Sequence, residues 1–169
     1  YWWQAVAIGA DGAEKPGPLR PYRVTLPAAG LRKGKIPSRY GKQGRGGFAL
    51  TARGKPSDVT RSRFWSIAAV SARRWGLRAE GWTQKRLVLG DGFSVMGFGR
   101  LPMSVMGLTR ARIRSDTGAI VEADVILNDR LKWEDGPDYP WFDEADLESV
   151  VLHELGHFAG NQEHVGGCT

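Results

Sequence analysis

The sequence predicts an α/β fold of the α+β kind, a twisted mixed sheet with one backing helix and a second helix near the C-terminal end. Three observations lead there. Apolar residues recur at three-and-four spacing over residues 60–75, short segments between residues 78 and 127 alternate apolar with polar or small residues, and a second helical stripe covers residues 147–159. With 169 residues and 41% apolar side chains, the chain can bury one core of two packed layers, so a disordered or collagen-like chain is excluded.

Two units are expected. Residues 1–56 are rich in Gly, Pro, Lys and Arg and read as a basic segment with one strand at 22–26 and mostly loop over 30–56. Residues 57–169 hold the rest. Ser57 or Thr60 can cap the first helix, because Phe64, Ile67, Ala68, Ser71 and Trp75 fall on one face, and Gly76 ends it. Short strands are expected at 78–82, 86–89 and 94–98, parted by Gly81 and by Gly90-Asp91-Gly92. Segments 106–114 and 120–127 alternate on either side of a turn at 115–118 and so form a hairpin. Residues 129–143 read as an acidic, aromatic loop; Trp65, Trp75 and Trp133 are read as core, and Met96, Met103 and Met106 as core or strand residues. Asp143 or Asp146 caps the last helix, whose apolar face is Leu147, Val150, Val151, Leu155 and Phe158, and Gly160 is placed to stop it in a left-handed conformation.

Charge is unevenly spread. Residues 1–114 carry 22 Lys+Arg against 5 Asp+Glu, whereas residues 115–169 carry 2 against 13, so +17 and −11 make the net +6. Arg and Lys interleaved with Tyr40 and Phe48 would suit a single-stranded nucleic acid. No nucleic-acid motif of fixed spacing accompanies them, and the basic half is read as a solvated face. No stretch approaches the roughly 20 apolar residues of a membrane span, so neither a membrane nor nucleic acid is the expected partner. The chain opens on Tyr1 rather than Met, which reads as a processed or partial chain, and Cys168, its one cysteine, allows no internal disulfide.

The chemistry lies in His153-Glu154-Leu155-Gly156-His157. Two imidazoles four residues apart on a helix stand one turn above each other, where a single zinc ion can bridge them. Glu154 is offset around the helix, so it can reach a water at the metal without being a ligand and take its proton. Zinc acidifies such a water to a pKa near ~7 and polarises a substrate carbonyl, and both effects favour amide hydrolysis.

The run His153-Glu-Leu-Gly-His157-Phe-Ala-Gly160 with a histidine shortly after resembles the metzincin zinc peptidases, in particular the bacterial matrixin-like proteins. The resemblance extends to residues 118–128, GAIVEADVILN, to Trp133, and to 146–153, DLESVVLH, and covers about residues 60–164. It implies a zincin-like α+β domain whose sheet has an antiparallel edge strand, a secreted, extracellular, monomeric endopeptidase, Zn2+ as cofactor and proteins or peptides as substrates. It also implies that an extended substrate pairs with the edge strand, here Met106, Leu108, Arg110 and Arg112. The third zinc ligand stands open. The pattern puts a histidine ten residues after the first, where this chain has Glu163; His164 follows one residue late. A one-residue insertion after Gly160 makes His164 the ligand, and the alternative keeps register with Glu163. The resemblance further implies a Met-containing turn and a C-terminal subdomain, for which there is no room before Thr169, so the chain reads as truncated after the motif. A propeptide cysteine of the matrixin kind has no counterpart in residues 1–152. Glu134, Asp135, Asp138, Asp143 and Glu144 offer hard oxygen ligands suited to Ca2+, but the spacing matches no EF-hand, and a solvated acidic loop is the preferred reading.

Overall fold

Both helices form where the apolar stripes predict them. In the computed structural model, which describes residues 2–8, 14–16, 20–21, 46–116, 118–136 and 143–160, α1 spans Arg61–Arg74 and α2 spans Leu147–Phe158. The hydroxyl of Thr60 caps α1 by accepting from the Arg63 N–H at 3.2 Å, and Gly76, at φ +71°, turns the chain out of it. Asp146 caps α2, accepting from the N–H groups of Glu148 and Ser149. Asp143, the other candidate, pairs instead with Lys132 at 2.7 Å.

Among the described residues ten strands accompany them: β1 Trp2–Ile8, β2 Glu14–Pro16, β3 Arg20–Pro21, β4 Gly47–Thr51, β5 Arg78–Thr83, β6 Val95–Gly99, β7 Gly107–Arg114, β8 Ile120–Asn128, β9 Lys132–Glu134 and β10 Glu144–Asp146. The frame is a five-stranded mixed sheet in the order β5-β4-β6-β8-β7, parallel throughout except for β7, which runs antiparallel to β8 as the expected hairpin. β1 adds in parallel to the outer side of β7, and β2 and β3 pair with β1. β9 and β10 form a separate parallel pair.

Alternation along each strand sorts side chains to two faces. Phe48, Leu50, Met96, Phe98, Ala111, Ala123, Val125 and Leu127 join both helices in the main core. An aromatic row runs through it, with Phe64 to Phe98 at 5.0 Å and Phe98 to Trp133 at 6.0 Å between ring centroids, contacts worth ~0.5–1.5 kcal/mol each beyond burial. On the opposite face Ile126 packs with Leu101, Val105 and Leu87, from the connections on either side of β6, and with Leu108 of β7.

Several expectations change. Residues 86–89 are not a strand, because the N–H groups of Gly90, Asp91 and Gly92 all donate to the buried Glu122 carboxylate and fold that segment over the sheet as a loop. Residues 47–51, expected as loop, are an interior strand between β5 and β6, so the division at residue 56 falls inside one sheet. Residues 132–134 and 144–146 are strands within or beside the expected acidic loop, and they bring Trp133 into the core with its indole N–H on the Asn128 carbonyl at 2.9 Å. Of the three methionines only Met96 is core; Met103 and Met106 are exposed. The strand expected at 22–26 lies outside the described residues.

The loop-covered face buries a charge that should register in stability. Asp124 is fully buried, its Oδ1 accepts from the Val95 N–H at 3.0 Å, and Oδ2 has no hydrogen-bond partner among the described residues. Burial raises its carboxyl to about 7, against the opposing Val95 hydrogen bond. A raised carboxyl pKa means that the folded state holds the proton more tightly than the unfolded one, so this stabilisation is complete below the unfolded value near 3.8 and is lost as pH rises to about 7. Thermal unfolding between pH 5 and 8 should therefore show the wild type losing ~1–3 kcal/mol that Asp124→Asn does not lose. Parallel profiles for the two proteins would show that the site does not titrate in this range.

Candidate metal centre

Helix α2 packs on α1, β7 and β8. Leu147, Val150, Val151, Leu155 and Phe158 commit one side of it to the core, and that choice fixes where the polar residues of the turn must go. His153 is half-buried and His157 is 8% exposed. Their rings meet edge to face at 84°, with the two Nε2 atoms 3.0 Å apart. Two zinc–nitrogen bonds of ~2.0–2.1 Å at a tetrahedral angle hold their nitrogens about 3.3 Å apart, so this pair fits one ion with a small adjustment.

Glu154 enters the seam between α2 and β7, against Thr109 and Gly107. It is fully buried, and its Oε2 accepts the Thr109 hydroxyl at 2.6 Å, while that hydroxyl also lies 3.0 Å from the Glu154 carbonyl oxygen. Oε1 has no hydrogen-bond partner among the described residues. Gly107 leaves the room: a Cβ there would come within 2.8 Å of the Glu154 Cγ and Oε1. Burial pushes the Glu154 carboxyl up to about 8, against the Thr109 hydrogen bond, which acts to lower it. A cation held a few Å away would favour the ionised form.

β7 itself is set by Asn128. The Asn128 amide donates to the carbonyls of Pro102 and Val105 at 2.9 and 2.8 Å, and its N–H donates to the Met106 carbonyl at 2.9 Å, which fixes the chain just ahead of Gly107. On the far side of α2 the Trp75 indole N–H donates to the Leu152 carbonyl at 2.7 Å. A Cβ on Gly156 would stand 3.0 Å from the Trp75 Cζ2, so the glycine inside the histidine motif lets α2 pack closely against the indole. Gly160 takes φ +87°, and its N–H donates to the His157 carbonyl at 2.9 Å, closing the helix.

No protein-family model and no curated protein matches the chain. The site is therefore read from this chain's own residues.

Glu163, His164 and Cys168 lie outside the described residues. Among the described residues no three His, Cys, Asp or Glu side chains converge as a metal site. Of the acidic residues considered for calcium, Asp143 pairs with Lys132, Glu134 accepts from the Gly136 N–H, and Asp138 lies outside the described residues. Met106, Leu108, Arg110 and Arg112 are the residues expected as a substrate edge. β7 is the antiparallel edge of the five-stranded frame, Met106 precedes it, and β1 lies in register along its outer side from Trp2 beside Leu108 to Ile8 beside Arg114. Arg110 and Arg112 are occupied on the loop-covered face, donating to the Leu87 carbonyl and to Glu122. Thr109, Gly107, Asn128 and the Trp75–Gly156 contact were not anticipated. The alternation of β7 does place Thr109 on the Ala111 side, the face toward α2, and that was the one signal available.

Proposed function

We propose that this chain is the zinc-binding part of an endopeptidase that hydrolyses internal peptide bonds, with His153, His157 and His164 as metal ligands and Glu154 as general base; Glu163 is the alternative third ligand. The observation that carries this reading is the pair of imidazole nitrogens 3.0 Å apart on α2, with a carboxylate from the same helical turn packed in the seam beside them. A zinc ion supplies an acidified water and a polarised carbonyl in such a site. The protein's own part is to hold and move a proton. Thr109 fixes Oε2, so Oε1 is the atom that accepts the proton of the attacking water and then returns it to the leaving nitrogen. Secretion, as the resemblance implies, belongs to the same proposal. No helix among the described residues is long and apolar enough to cross a membrane.

The test is metal analysis and peptide cleavage on one sample. One zinc per chain is expected, with hydrolysis of an internally quenched peptide that stops on chelation and returns with zinc. Zinc without hydrolysis would leave a zinc-binding, peptidase-like module, the second reading, and absence of zinc binding would remove both.

A further inference from the structure

The strand that holds Glu154 is also the strand that β1 covers. β7 touches the base directly through Gly107 and Thr109, so anything paired along its outer side lies beside the site. An extended peptide joins a sheet by taking a row of unpaired backbone groups, and on β7 that row is already taken: seven residues of β1 match seven of β7 without a break, and Trp2 and Trp3 stand beside Leu108 and Thr109, at the end nearest Glu154. Glu154 itself has no solvent exposure.

We propose that the strand Trp2–Ile8 is a built-in competitor for the substrate edge, pairing with β7 in place of an extended peptide and leaving when one is bound. The inference rests on the endopeptidase reading for its consequence in turnover, but not for the pairing itself. Being on the same chain, β1 acts at an effective concentration of roughly mM, so a free peptide at μM concentration loses to it unless its own affinity is much higher. β1 pairs with β7 on one side and with the short β2 and β3 on the other, at the periphery of the sheet, where elements open locally.

The full chain carrying Ala5→Pro with Val6→Pro tests this, since adjacent prolines remove donors facing both neighbours. Cleavage of a quenched peptide should rise about tenfold or more, amide exchange along residues 108–114 should speed up, and the synthetic heptapeptide WWQAVAI, unlike a scrambled one, should reverse both. Unchanged turnover despite faster exchange, or unchanged exchange, would overturn the proposal. If neither protein hydrolyses any peptide, the endopeptidase reading fails separately, and binding of a labelled extended peptide decides: about tenfold tighter binding to the variant supports competition, and equal binding ends it. Should the variant not fold, the wild type titrated with an uncleavable extended peptide must show faster exchange at residues 2–8 as the peptide saturates, and no change there overturns the proposal.

Discussion

Glu154→Gln is expected to keep its zinc and lose about 10²–10⁴-fold in turnover, the range that a positioned general base contributes. The amide has nearly the shape of the carboxylate and can still accept the Thr109 hydroxyl through its oxygen, so the seam between α2 and β7 should close around it as before. The amide has no site for the water's proton. Because the native carboxylate is buried with one oxygen unpartnered among the described residues, neutral glutamine should not lower the melting temperature. Zinc content, unfolding temperature and turnover measured on one preparation separate the alternatives. Zinc lost together with activity would make Glu154 a ligand or a folding residue, and retained activity would remove it as the base.

The second large effect concerns the ligands. A four-ligand zinc site binds with ~10–16 kcal/mol, so one ligand accounts for roughly 3 kcal/mol, or about 10²-fold in affinity. His153→Ala and His157→Ala should each weaken zinc by at least that factor, since each removes one of the two nitrogens held 3.0 Å apart. If His164 completes the site, His164→Ala should match them while Glu163→Ala changes affinity by less than about threefold. The reverse order would assign the family register to Glu163. Small effects from both would mean that neither residue is a ligand. Competition titrations at one pH decide the order, and repeating them on the wild type below pH ~6 should show weaker binding, because protonated imidazole cannot ligate.

Elements that could be read in the sequence are those whose information is local. α1 and α2 carry caps and a helical apolar stripe within their own residues, and β7 and β8 carry alternation on either side of a short turn. β4 was missed because five residues after Gly46 leave little pattern, and its neighbours in the sheet, β5 and β6, both lie beyond α1. β1 was missed for a similar reason: WWQAVAI gains its place only from β7, about a hundred residues away. The site divides the same way. Histidines four apart on a capped helix declare their shared face, whereas the slot for Glu154 depends on Thr109 and Gly107, some 45 residues earlier, and only the folded sheet brings them there.

The contact between Trp75 and Gly156 ties α2 to the end of α1 in a way that bears on how the chain can diverge. A side chain at position 156 would press on the indole, which must give by a few tenths of an ångström, and so would strain its hydrogen bond to Leu152, one residue before the first histidine. The two positions therefore form an epistatic pair. Gly156→Ala alone should be poorly tolerated, while the same change beside a smaller residue at 75 should be tolerated better, so in diverged copies of this sequence the two sites should drift together. The middle of the histidine motif would then record the packing history of α1 as much as the chemistry of the metal.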